Sequence, residues 1–156
     1  MTLFMLDTNT ASYAIKGSPP QVRQRLQAAP AGSLAVSAVT EAEFRFGAAR
    51  EGVSPRLGPL VEQFLALLRV LPWDSEAARS HARLRSRVEA DGTALGALDM
   101  LIAAHAAATS AVLVTHDAAL LRLPKDLIAT EDWAAPSAPD ATIDADGSSD
   151  EVGETD

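Results

Sequence analysis

Four acids stand where a carboxylate could do chemistry. Asp7 closes the apolar run Leu3-Phe4-Met5-Leu6 and is followed by Thr8 and Asn9. An acid there lies at the carboxyl end of a strand, the edge at which open parallel α/β sheets gather ligands and catalytic groups; Asp7 or Thr8 is equally suited to cap a helix beginning near Thr10. Glu43 falls in the first turns of a helix, within Thr40-Glu41-Ala42-Glu43-Phe44-Arg45-Phe46-Gly47, where Thr40 and Glu43 match a capping box. Glu41 projects elsewhere on that helix, toward solvent. Asp99 interrupts the apolar run Ala97 to His105 with no basic side chain near it in sequence. Such a carboxylate must cap a helix, pair with a base or bind metal. Asp117 follows a strand ending at Thr115, with N-capping of residues 118–122 as its alternative.

The chemistry follows from the donor types. An all-oxygen set selects Mg²⁺ or Mn²⁺, and the lack of cysteine and of closely spaced histidines argues against zinc. Several carboxylates around one or two such ions activate water and steady the leaving oxygen in phosphodiester cleavage. His105 lies about 240° around the helix from Asp99 and reads as a packed histidine rather than a ligand. With no cysteine, disulfides and cysteine nucleophiles are excluded, which suits a reducing cytosol.

These acids need a scaffold that delivers them to one edge. Strands are expected at 3–6, 33–37, 69–73, 111–115 and 126–130, and helices at 10–16, 21–28, 39–50, 55–68, 74–90 and 98–109. Alternation of this kind predicts a three-layer α/β/α domain with a mostly parallel central sheet of four to five strands. In the helix over 74–90, Arg79, Arg83 and Arg87 read as a solvated stripe balanced by Glu76 and Glu89.

The net charge of −8 is unevenly spread. Residues 134–156 hold seven acidic and no basic residues, which leaves 14 acidic against 13 basic in residues 1–133. The folded part is near neutral, so acids gathered in one pocket leave the rest of its surface net basic. The chain is read as one folded domain over 1–133 and an acidic tail over 134–156 with too little to bury, expected to be disordered. No signal peptide or membrane span is evident, and a cytoplasmic protein is expected.

Met5-Leu6-Asp7-Thr8-Asn9, Ala42 to Gly47, Leu98 to His105 and Val114-Thr115-His116-Asp117 resemble, in order and spacing, the successive motifs of PIN-domain ribonucleases of the VapC type, toxins of bacterial toxin–antitoxin pairs. The resemblance covers about residues 1–133. It implies a Mg²⁺-dependent endoribonuclease, with Mn²⁺ as a substitute, that leaves 5′-phosphate and 3′-hydroxyl ends. Its metal-binding and catalytic acids would be Asp7, Glu43, Asp99 and Asp117, with Thr8, Asn9, Ser37 and Thr115 as the supporting shell. Many relatives carry Asn at the position of Asp117, and the acidic tail lies outside the family pattern. The resemblance further implies an RNA substrate, a homodimer and a cognate antitoxin that blocks the pocket. Arg45 and Arg50, on the helix of Glu43, are candidate phosphate contacts. Two other readings keep a strand-terminal Asp or the same fold: an aspartyl-phosphate phosphatase of the haloacid-dehalogenase type, for which Asn9 stands where a second acid is needed, and a catalytically silent PIN-fold binding module, which four intact acids disfavour.

Overall fold

The structure, a computed structural model, describes residues 1–136; the expected disorder of the acidic tail concerns residues that lie, but for its first three, outside the described ones. Along the chain run β1 (Phe4–Leu6), α1 (Thr8–Lys16), α2 (Pro20–Ala28), β2 (Leu34–Ser37), α3 (Ala38–Ala49), α4 (Leu57–Ala66), β3 (Arg69–Leu71), α5 (Ser75–Ala90), α6 (Ala97–Ala108), β4 (Val112–Val114), α7 (Ala118–Leu121) and β5 (Ala129–Glu131). Small polar residues at the strand ends set several helix starts. Asp7, Ser37, Asp74 and Asp117 each accept a backbone N–H from the helix that follows, which satisfies donors that a helix's first turn leaves unpaired. At its other end α1 stops at Gly17, whose φ of 73° is the left-handed turn that glycine adopts without a Cβ penalty.

All five strands pair in parallel, in the order β3-β2-β1-β4-β5. The side-chain alternation of a strand sends Phe4 and Leu6 to one face and Met5 to the other. On the first face Leu6, Val36 and Val114 pack with Ala11, Ala14, Val22, Val61 and Leu65 from α1, α2 and α4. On the second, Met5 and Leu113 pack with Leu84, Val88, Met100, Ile102 and Ala103 from α5 and α6. Two apolar cores sandwich the sheet, and each fully buried Leu, Ile, Val or Met within them is worth about 1.5–3 kcal/mol.

The strand order carries the functional consequence. From β1 the chain steps outward through β2 to β3, then returns to place β4 on the other side of β1. The winding reverses between β1 and β4, and the crevice beyond the carboxyl ends of two such strands is where open α/β sheets bind ligands. Leu6 is in register with Val114, so Asp7 and Thr115 leave the sheet side by side.

Three expectations need correction. The last strand begins at Ala129 rather than residue 126, because Leu127 and Ile128 donate to Pro124 O and hold residues 124–128 in a turn. The arginine stripe of α5 is balanced differently: Arg79 pairs with Glu76, Arg87 with Asp126 and Asp91, and Glu89 pairs with Arg85, which is off the stripe. Ordered packing also passes residue 133. Ala134 is buried beside Trp133, its carbonyl accepts from Gln21 Nε2 at 2.8 Å, and the N–H groups of Ala134 and Ala135 reach Asp132 Oδ1. Among the described residues no helix is long and apolar enough to cross a membrane. Deleting residues 137–156 is therefore expected to leave the melting temperature within about 2 °C of the parent, whereas deleting 134–156 should cost a further ~1–2 kcal/mol, from the lost hydrogen bonds and apolar burial. Thermal unfolding of the two truncations side by side checks this.

Candidate active site

Asp7 is 3% exposed and fully engaged. Its Oδ1 accepts the Thr10 N–H at 2.8 Å and its Oδ2 accepts the Thr115 hydroxyl at 2.6 Å. The helix-capping and pocket readings of Asp7 are thus compatible: one oxygen starts α1 while the other turns to the end of β4. Thr115 Oγ1 also accepts the Asp117 N–H at 3.1 Å. A single buried hydroxyl so connects the two strand-terminal acids. Asp117 caps α7 through Oδ1, which accepts from Ala119 and Leu120 N–H, and its side chain is otherwise exposed at the crevice.

Asp99 resolves differently from its alternatives. Gly96 occupies the N-cap of α6, and Asp99, three residues on, makes no capping bond. Its Oδ2 lies 3.7 Å from where a Cβ on Gly96 would stand. The Asp99 carboxyl is raised above its ordinary value by burial first, then by the negative charges of Asp117 and Asp7. The acids from β1, β4 and α6 therefore sense one another across the crevice. Among the described residues no group of three such side chains is placed to hold a metal ion.

Glu43 lies on α3. The capping box expected of Thr40 and Glu43 does not form, because Ser37 is the N-cap, accepting from Val39 N–H at 3.1 Å. Thr40, buried in the helix, instead meets Thr8 with a hydroxyl–hydroxyl distance of 3.2 Å. Thr40 and Glu43, three apart, share one helix face. Glu43 thus lies one turn from the contact beside Asp7, on a helix that packs against both α1 and α6.

The remaining expected residues divide. Thr115 bonds both strand-end acids, Thr8 meets Thr40 rather than an acid, and Asn9 is exposed. Ser37 supports the fold: its Oγ lies 2.8 Å from Nδ1 of His105, which is 1% exposed. Burial, the largest influence, lowers the His105 pKa. The reading of His105 as a packed histidine agrees with this. Arg45 is held between Glu41 and Glu62, so its charge is already matched. Arg50 lies 5.9 Å from the centre of the exposed Phe46 ring.

The residues missed in the sequence are Thr40, read only as a cap, and Asp132, whose Oδ2 meets His116 Nδ1 at 2.9 Å. Asp132 follows the last strand as Asp7 follows the first; that repeated pattern was the available signal. Clefts of about 500 Å³ between α5 and α6 and about 460 Å³ between α1, α2 and α4 lie away from these acids. Asp7 and Asp117 stand at the carboxyl edge of the sheet, joined through Thr115.

The raised Asp99 carboxyl has a measurable consequence. The folded protein holds that proton over a pH range in which the unfolded chain has lost it, so this group's contribution stabilises the fold as pH falls through the raised value and penalises it above. Asp99→Asn removes the charge and keeps the size. Metal-free Asp99→Asn is expected to melt at or above the parent at neutral pH, with the advantage shrinking as pH is lowered toward 4. Melting curves of both proteins across that range decide it.

Comparison with known proteins identifies the family. The family described as PIN domain matches residues 4–126. The tRNA(fMet)-specific endonuclease VapC of Salmonella typhimurium is 34% identical over 134 residues, covering 85% of this chain and 99% of the relative. Ribonuclease VapC2 of Haemophilus influenzae is 33% identical, again covering 85% and 99%. Among solved structures, DNA-bound VapBC of Salmonella typhimurium superposes with a TM-score of 0.77 at 34% identity, and DNA-bound VapBC2 of Rickettsia felis with 0.77 at 28%; each covers 85% of this chain and 99% of the other. With its fold, its strand-end acids and these relatives in agreement, the chain belongs to the PIN-domain family of VapC ribonucleases.

Proposed function

We propose that this nuclease is a divalent-metal-dependent endoribonuclease in which Asp7, Asp99 and Asp117, with Glu43 beside them, hold Mg²⁺ or Mn²⁺, and that it acts as the toxin of a toxin–antitoxin pair. The observation that carries this reading is the buried Thr115 hydroxyl that joins Asp7 to the Asp117 backbone at the carboxyl edge of the sheet; the charges of these two acids add to partial burial in raising the carboxyl of Asp99. Acids that repel one another across a crevice, with only oxygen donors around them, fit a hard cation. When bound, such a cation neutralises charge on the phosphodiester and lowers the pKa of water.

The chain's own residues prepare the place. Thr115 fixes one Asp7 oxygen and the Asp117 backbone together. The α1 cap fixes the other Asp7 oxygen, so Asp7 loses little freedom when it takes up a ligand. Gly96 keeps the start of α6 free of a side chain next to the Asp99 carboxylate. Arg50 is the better placed of the two arginines to meet phosphate, since Arg45 would have to leave Glu41 and Glu62. A phosphatase using Asp7 as nucleophile fits poorly: that carboxylate is 3% exposed and bonded through both oxygens.

The relatives' names supply the partners to test. The Salmonella protein is named for tRNA(fMet), which makes a tRNA the first substrate to try. Structural neighbours solved as VapBC complexes support a cognate antitoxin. A cytosolic homodimer completes the reading. Cleavage of a tRNA by the purified full chain is expected to stop in excess EDTA, to return with Mg²⁺ or Mn²⁺, and to fall at least about a hundredfold in Asp7→Asn, the scale of losing a group that steadies reaction charge. Undiminished cleavage in EDTA, or by Asp7→Asn, would overturn the assignment.

A further inference from the structure

Phe46 is the one aromatic side chain exposed to solvent among the described residues, at 65%. The other six aromatics each meet another ring: Phe4 meets Trp133, Phe44 meets Phe64, and Tyr13 and Trp73 meet His116 and His81. Phe46 is instead accompanied by a cation, the Arg50 guanidinium, 5.9 Å from its ring centre. A single exposed apolar side chain is ordinary in itself. Its neighbours on α3 make this one specific.

Phe46 follows Glu43 by three residues, so the two are neighbours on the surface of α3, about 4.5 Å apart along its axis. Arg50, which ends α3, stands four residues beyond Phe46 and continues the stripe. Gly47 lies on the same stripe, between Glu43 and Arg50. A Cβ there would meet nothing within 4 Å, so a residue that helix propensity disfavours leaves the floor beside the ring open without any packing need. The charges of α3 are divided as well. Arg45, on another flank, is matched by Glu41 and Glu62, whereas Arg50 forms no ion pair among the described residues.

A largely exposed ring beside an unmatched guanidinium fits a nucleotide. Aromatic side chains stack the unpaired bases of single-stranded RNA, whatever the base. A guanidinium near a ring still offers its N–H donors to a phosphate, two at a time. A nucleotide thus brings both the charge that Arg50 lacks and the flat face that Phe46 lacks. A protein surface matches less well: a stable interface takes about 800 Å² from each partner, and Phe46 is the only large apolar side chain that α3 exposes.

We infer that Phe46 and Arg50 form a nucleotide subsite one turn along α3 from Glu43, in which a base of the RNA stacks on the Phe46 ring while Arg50 holds a phosphate beside it. The inference rests on the endoribonuclease reading with Glu43 among its acids, and adds to it a base-stacking site next to the cleavage point.

The probe is a mixed-sequence single-stranded RNA, mapped for where the full chain cuts it and synthesised again with one abasic nucleotide at each position flanking the cut. The ratio of kcat/KM for intact to abasic RNA is taken within each protein, so differences in active fraction cancel. In the parent, one flanking position is expected to show a penalty of at least about fivefold, the lower end of what stacking one base on an aromatic ring is worth. In Phe46→Ala, cleavage of the intact RNA falls by a similar factor and the penalty at that position disappears; Phe46→Trp, which keeps a ring, retains it. Arg50→Gln flattens the salt dependence of kcat/KM by the share of one phosphate contact. A penalty unchanged in Phe46→Ala, or a parent indifferent to abasic substitution at every flanking position, would overturn the inference and leave the endoribonuclease reading intact. So would a Phe46→Ala variant altered only in its sedimentation, the mark of a face that meets a second copy of the chain. A parent that cleaves no RNA with either metal ion would overturn the underlying reading, and the inference with it.

Discussion

The hydrogen bond from the Thr115 hydroxyl to Asp7 Oδ2, 2.6 Å long and buried, is the contact on which the site depends. It exists because Leu6 and Val114 are paired in register on adjacent parallel strands, which brings the next residue of each out of the sheet together. A shift of one residue in that register would turn every side chain of β4 to the opposite face and separate the two groups. The bond also makes Asp7 tolerable. A buried carboxylate without donors costs several kcal/mol, whereas Asp7 has a hydroxyl on one oxygen and a helix N–H on the other. Loss of the Thr115 hydroxyl would leave both an unmatched acid and an unmatched Asp117 N–H.

Around that bond the structure accepts electrostatic cost in return for function. Asp99 is placed on a half-buried turn of α6, facing two like charges and capping nothing. On the proposed reading, a cation that binds only the folded form would recover that cost. Such strain is typical of sites whose chemistry needs groups that stability alone would remove.

Much of this was legible in the sequence, for identifiable reasons. The run Leu3 to Leu6 ending in Asp7 announces both a strand and its functional end, because hydrophobic runs and strand-terminal acids are local signals. The alternating elements announce a parallel α/β domain, and the four motifs from Met5 to Asp117 carry a family resemblance that the relatives bear out. The strand order was not legible, since the placement of β4 next to β1 depends on packing between residues more than a hundred positions apart. The cap of α3 was misread for a related reason: Thr40 and Glu43 fit a capping box locally, yet the helix starts three residues earlier, at Ser37, and Thr40 is drawn into contact with Thr8. Arg45 looked like a free cation until Glu62, seventeen residues away, was found beside it. Asp132 escaped notice because the last strand was ended early, at residue 130, so its acid did not register as strand-terminal.

The claim at the centre is that the acids from β1, β4 and α6 form one cation site. Calorimetric titration of Mn²⁺ into the parent and into Asp99→Asn addresses it without substrate or antitoxin. Carboxylates that share an ion predict binding to the parent and an affinity at least about tenfold weaker in the variant, since removal of one charged ligand costs more than about 1.4 kcal/mol. Equal Mn²⁺ affinity in the two proteins would contradict a shared site.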